Sequence, residues 1–210
     1  MGYKNREIEI KLLCEMQDGK TPSMKQIERI VEDTLGEGIV RTISDQSADV
    51  YWDLPKSVPG DFVRLRKINS ADHDYQLTVK ATDRNLGNVN RVEVDITVDR
   101  KTGYDFAHQI SLGGSIAGSV KKKYIIFFLD EHEEGTTVSC YSVVGCKNIF
   151  IEVEARSIAK VKEVTKKIAR SLDEASIAVS KVDRSLYDIF VARKKMTTTN
   201  LATALEKMAH

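Results

Sequence analysis

The chain has 210 residues, enough for one large domain or two small ones around a sizeable core. Charged residues make up 30% of it yet nearly cancel, to a formal net charge of +1, so no global field draws the protein to nucleic acid or membrane. Three cysteines (Cys14, Cys140 and Cys146) without zinc-type spacing, and no apolar run long enough for a bilayer, lead to the expectation of a reduced, cytoplasmic protein.

The first six residues lack the apolar core of a signal peptide and lead into a strand. In that strand Glu7, Glu9 and Lys11 share one face, and Ile8, Ile10 and Leu12 the other. Alone, this reads as an edge strand with a wet polar face. After a turn at Gly19–Pro22, Ser23 is placed to cap a helix from Met24 to about Leu35, which Gly36 and Gly38 end. Its apolar stripe is Ile27, Ile30, Val31 and Leu35. A second strand region covers Ile39 to Asp53.

Asp61–Lys67 alternates Val63 and Leu65 with Arg64 and Arg66, and Tyr75–Ala81 alternates Leu77 and Val79 with Thr78 and Lys80. After a loop at Asn85–Asn90, Arg91, Glu93, Asp95 and Thr97 oppose Val92, Val94, Ile96 and Val98. A short helix around Asp99–Ile110 follows, with Asp99 or Thr102 as its cap. Ile116–Leu129, carrying Lys121, Lys122 and Lys123, pairs as a hairpin with Thr136–Val144 across the acidic turn Asp130–Gly135. The last predicted strand, Asn148–Ala155, sets Glu152 and Glu154 opposite Ile151 and Val153. Ser157 caps a helix to about Leu172, and the rest is expected to be helical, over Arg184–Lys194 and Thr199–Met208. The histidines are scattered, which argues against a catalytic one.

The polar faces hold the bases Lys11, Arg64, Arg66, Lys80, Arg91, Lys121 and Lys123 and the acids Glu7, Glu9, Glu93, Asp95, Glu152 and Glu154. A solvated face mixes signs with Ser, Thr and Gln; these faces instead carry same-sign pairs at i and i+2. The apolar faces also supply what the amphipathic helices must cover. An α+β fold is therefore expected: a closed antiparallel β-barrel, charged inside, with helices over its apolar outside. Buried charges need partners, and two divalent cations on the acids with a triphosphate on the bases would roughly balance such a lumen. Carboxylate oxygens suit Mg²⁺ or Mn²⁺, and Arg and Lys suit phosphate.

Glu7-x-Glu9-x-Lys11 resembles the N-terminal ExExK motif of the CYTH family, the triphosphate tunnel metalloenzymes. The likeness continues in order through Asp49-x-Tyr51-Trp52-Asp53, Arg64-x-Arg66, Thr78-x-Lys80, Arg91-x-Glu93, Lys121-x-Lys123, Glu152-x-Glu154 and Ser185-Leu186-Tyr187, over roughly residues 5 to 190. The resemblance implies an eight-stranded antiparallel tunnel as one domain, residues 1–195, followed by a helical extension, 196–210. It implies phosphate binding by Lys11, Arg64, Arg66, Lys80, Arg91, Lys121 and Lys123, metal binding by Glu7, Glu9, Glu152 and Glu154, and catalytic roles for Lys11, Arg64, Arg66 and Glu93. The implied ligands are Mg²⁺ or Mn²⁺ and a small triphosphate, or at most an RNA 5′-triphosphate end; there is no membrane partner, and a homodimer is compatible with the sequence. The activity implied is hydrolysis of inorganic, nucleoside or thiamine triphosphate. Class IV adenylyl cyclase and a non-catalytic triphosphate binder are the alternatives. The chain departs from the family where Lys-x-Arg is usual, at Lys121-x-Lys123. It departs again where Ser142 aligns with a strand-seven aspartate, and in the turn that follows, where only Phe150 is kept.

Overall fold

Short elements build the protein, whose structure, a computed structural model, describes residues 5–18, 20–54, 62–68, 74–82, 90–113, 116–131 and 135–191. In chain order they are β1 (Asn5–Met16), α1 (Met24–Leu35), β2 (Arg41–Asp53), β3 (Phe62–Ile68), β4 (Asp74–Thr82), β5 (Asn90–Asp99) and α2 (Arg100–Gly113). Then come β6 (Ile116–Phe128), β7 (Thr137–Val143), β8 (Ile149–Ala155), α3 (Ile158–Glu174), β9 (Ile177–Lys181) and a helical turn, Tyr187–Val191; a further 3₁₀ turn, Gly36–Gly38, follows α1.

Local chemistry explains the helix ends. The Gln26 N–H donates to Ser23 Oγ (3.2 Å) at the start of α1, and the Lys160 N–H donates to Ser157 Oγ (3.1 Å) at the start of α3. Asp99 Oδ1 accepts from the Thr102 N–H (2.8 Å) at α2. Past α1 the backbone turns through φ 54° at Gly36, a conformation that glycine adopts without a Cβ penalty. Ser157→Ala is expected to cost about 1 kcal/mol and to lower Tm by about 2–4 °C, while Ser157→Asp keeps the cap. Thermal unfolding checks this, and an unchanged Tm for the alanine variant would contradict it.

The strands form one nine-stranded antiparallel sheet in the order β5-β4-β3-β2-β6-β7-β8-β1-β9, with a further pairing between β5 and β1. The fold is thus α+β as expected, but with nine strands rather than the closed barrel of eight. The added strand is β9, within the stretch expected to be helical. It begins directly after α3 with no Gly, Asn or Pro to announce the break, because Ser176 makes the turn at φ 61°. Of the helix expected over Arg184–Lys194 the described residues show a helical turn at Tyr187–Val191, capped by Ser185 and Asp188, whose side chains bond at 2.6 Å; residues 192–194 lie outside the described residues. Residues 196–210, with the helix expected there, and the loop at 85–89 lie outside the described residues. Among the described residues no helix is long and apolar enough to cross a membrane.

Two compact units divide the chain: residues 1–6, 46–121 and 184–210 form the first, and residues 7–45 and 122–183 the second. In the first, Val50, Trp52, Val63, Leu65, Tyr75 and Leu77 fill one face of β2–β4, and Ala107, Phe106 and Ile110 of α2 pack on it. In the second, α1 buries Ile27, Val31 and Leu35 and α3 buries Val161, Val164, Ile168 and Leu172, alongside Val138 and Cys140 of β7 and Ile151 and Val153 of β8. Each such side chain contributes about 1.5–3 kcal/mol on burial, so these faces are committed to packing. The opposite faces of the same strands are left for the charges.

Candidate functional site

Cross-strand register sorts the charges of the first unit into three rungs. Asp49, Arg66, Gln76 and Thr97 lie opposite one another along β2–β5; so do Tyr51, Arg64, Thr78 and Asp95. The third rung is Asp53, Phe62, Lys80 and Glu93. Residues paired across strands share a face, so the alternation expected for β3–β5 holds.

Within this group Asp49 is fully buried, and its two oxygens accept from Arg66 Nε (2.8 Å) and Nη2 (2.9 Å). That fork aims the guanidinium. The Tyr51 hydroxyl also donates to Asp49 (3.3 Å). Burial above all, aided by the Asp49 carboxylate, pushes the Tyr51 phenol up, against the opposing pull of Arg64, Arg66 and Lys80; it stays a proton donor. Arg64, also buried, donates from Nη2 to Thr78 Oγ1 (2.8 Å), and Thr78 donates to Asp95. Lys80 is buried on the same face. Beside these rungs the Phe62 and Tyr187 rings stack at 5.1 Å, and the Tyr187 hydroxyl donates to Asp53.

The second unit carries an acidic counterpart. Glu9 lies opposite Glu154 and Lys11 opposite Glu152, with Ser139 of β7 next to Glu152. The buried Lys11 ammonium sits 2.9 Å from Glu152 and 3.8 Å from Glu9, and the Tyr141 hydroxyl donates to Glu152 (2.9 Å). This donor set is all oxygen, which fits a hard divalent ion. Among the described residues no three His, Cys, Asp or Glu side chains converge as a ready ligand group. The Glu7, Arg91 and Glu93 side chains lie outside those described; in the backbone, Glu93 pairs with Lys80 and Arg91 with Thr82. Burial pushes the Cys14 thiol up to about 12 and raises that of Cys140, so both stay protonated on the apolar side of their strands.

Register and exposure place Lys121, Lys123 and Ser142 apart from this group. Lys123 lies opposite Ser142, on the face away from Tyr141 and Glu152, and both Lys121 and Lys123 are exposed. Ser142 therefore does not stand where an acid facing Glu152 would; Ser139 does. The alternating charges by themselves assign no role to Asp49, Tyr51 or Tyr141. Asp49 and Tyr51 share the parity of Asp53 in β2, whereas Tyr141 is found only through the register of β7 with β8.

No protein-family model matches the sequence, and no curated protein does. Solved structures do match. A conserved hypothetical protein from Pyrococcus furiosus aligns with 88% of this chain and 99% of its own, at 22% identity and a TM-score of 0.58. A protein from Pyrococcus horikoshii OT3 aligns with 87% of this chain and 98% of its own, at 22% identity and a TM-score of 0.59. A candidate adenylate cyclase from Bacillus halodurans aligns with 89% and 98%, at 14% identity and a TM-score of 0.53. The chain shares their fold. At these identities the likeness extends to fold alone, and the charged rungs must speak for the chemistry.

Proposed function

We propose that this protein is a triphosphate tunnel enzyme of the CYTH kind that hydrolyses triphosphate compounds with the help of Mg²⁺ or Mn²⁺. The observation that carries the reading is the strand face of the first unit, where Arg64 and Lys80 are buried and Arg66 is aimed by a buried carboxylate. Three cations gathered on one strand face suit a polyanion, and phosphate oxygens match both guanidinium and ammonium.

Glu9, Glu152 and Glu154, together with Glu7, would hold the ion, which when bound polarises phosphate oxygens and acidifies water. Arg64, Arg66 and Lys80 neutralise charge that grows on the phosphate oxygens as the anhydride breaks. Lys11, between Glu9 and Glu152, balances the carboxylates and offers its ammonium to phosphate. Glu93 is the carboxylate proposed to take a proton from attacking water.

The name carried by the Bacillus halodurans structure makes cyclisation of ATP the second reading. Against it, Phe62 and Tyr187 stack on each other, so neither ring lends that face to adenine. Incubation with tripolyphosphate, ATP and thiamine triphosphate separates the readings. Orthophosphate marks a hydrolase, cyclic AMP with pyrophosphate marks a cyclase, and tight binding without product marks a binder. Glu9→Gln is expected to raise the Mg²⁺ or Mn²⁺ concentration for half-maximal turnover about tenfold or more, since an amide poorly replaces a carboxylate at a hard ion. An unchanged metal titration would remove Glu9 from the ion site.

A further inference from the structure

The hydroxyl of Ser47 is buried in the first unit without a hydrogen-bond partner among the described residues. From Ser47, opposite Ile68, to Asp53, opposite Phe62, β2 keeps regular register with β3, so its side chains alternate strictly there. Ala48, Val50 and Trp52 pack into the apolar core of the unit. Ser47 therefore lies on the opposite face, in line with Asp49 and Tyr51. Two residues of strand separate it from Asp49, about 7 Å, which makes it the rung beyond the Asp49–Arg66 pair. The rungs of Arg64 and Lys80 follow in the other direction.

Ser47 is only 3% exposed. A hydroxyl taken out of water and left without a partner costs the fold stability, and native interiors keep few of them. Neighbouring hydroxyls on the same face are engaged. Tyr51 donates to Asp49, while Thr78 accepts from Arg64 and donates to Asp95. Asp49, the nearest carboxylate along the strand, already accepts from Tyr51 and twice from Arg66. What the Ser47 hydroxyl lacks is an acceptor, and the anion proposed for this face is a chain of acceptor oxygens. We infer that Ser47 is a further substrate-binding residue, its hydroxyl donating to an oxygen of the phosphate that lies beside Arg66. Serine then costs the empty protein stability, and the bound anion offsets that cost. An alanine at this position leaves no polar atom to satisfy and should suit the empty protein better.

This inference rests on the triphosphate reading, and its test separates the two. Calorimetric titration with tripolyphosphate in Mg²⁺, and thermal unfolding without ligand, are run on the full chain and on Ser47→Ala, Ser47→Thr, Ser44→Ala and Arg64→Ala. Ser47→Ala is expected to weaken binding about tenfold or more, the loss of one hydrogen bond to a charged acceptor. Its ligand-free Tm holds or rises, since an unpaired buried hydroxyl is removed. Ser47→Thr, which keeps the hydroxyl, retains most of the affinity. Ser44→Ala, at an exposed position of the same strand, stays within about twofold. Ser47→Ala that binds like wild type, while Arg64→Ala is weak, leaves the reading standing and overturns the inference: the hydroxyl then serves an enclosed water or nothing. A weaker Ser47→Ala that also melts earlier makes Ser47 a packing residue and overturns it as well. So does a Ser47→Thr that melts like wild type yet binds as weakly as Ser47→Ala. If Ser47→Thr itself melts earlier, the added methyl is not tolerated and Ser47→Ala alone decides. Wild-type protein that binds no tripolyphosphate sinks both the reading and the inference.

Discussion

Asp49→Ala should lower stability by about 3–5 kcal/mol, one of the largest effects of any single charged-face substitution in this protein. The carboxylate is fully buried, receives two hydrogen bonds from Arg66 and a third from Tyr51, and so offsets a guanidinium that is itself mostly out of water. Removing it strands that cation among Arg64 and Lys80. For a chain of this length the loss corresponds to a fall in Tm of roughly 10 °C or more. Asp49→Asn, which keeps the shape and one acceptor, should fall between. Tripolyphosphate gives Arg66 a new anionic partner, so it should raise the Tm of Asp49→Ala more than that of the wild type. A loss below about 1 kcal/mol would mean that Arg66 needs no buried counter-charge, and the proposed aiming of its fork would be wrong.

Arg64→Ala should reduce turnover of tripolyphosphate about 10²–10³-fold, the usual consequence of removing one preorganised donor to developing charge. The same change should barely alter stability. Arg64 bonds Thr78, but Thr78 keeps its own bond to Asp95 when the guanidinium is gone. Asp95 is itself partly exposed, so its 4.0 Å pairing with Arg64 adds little to the fold. Loss of one cation from a cationic face also relieves repulsion. Arg64→Lys should recover only part of the activity, because an ammonium cannot reproduce a planar fork. kcat/KM and Tm measured on the same preparation check both halves. A variant that melts early yet turns over normally would make Arg64 structural.

Much of this architecture is legible in the amino-acid sequence itself. The stripe and caps of α1 and the strict alternation of β3, β4 and β5 are local patterns, and each appears where the residues put it. What local pattern cannot supply is register between strands. Three consecutive lysines satisfy either parity, so only the pairing of β6 with β7 shows that Lys122 turns toward Tyr141. Ser142 is a case of the same kind: the β7 position opposite Glu152 is Ser139, three residues earlier in the strand. The turn before β9 is hidden for another reason. Ser176 takes a left-handed conformation usual for Gly or Asn, and five residues of strand are too few to outweigh the helix before them.

Orthophosphate released from tripolyphosphate, with Mg²⁺ or Mn²⁺ and again in excess chelator, is the measurement that tests the central claim most directly. Steady release with either ion, abolished by chelator and restored when the ion is returned, is the expected result. Release that continues undiminished in chelator, or no release under any ion while ATP is cyclised or merely bound, would contradict metal-dependent triphosphate hydrolysis.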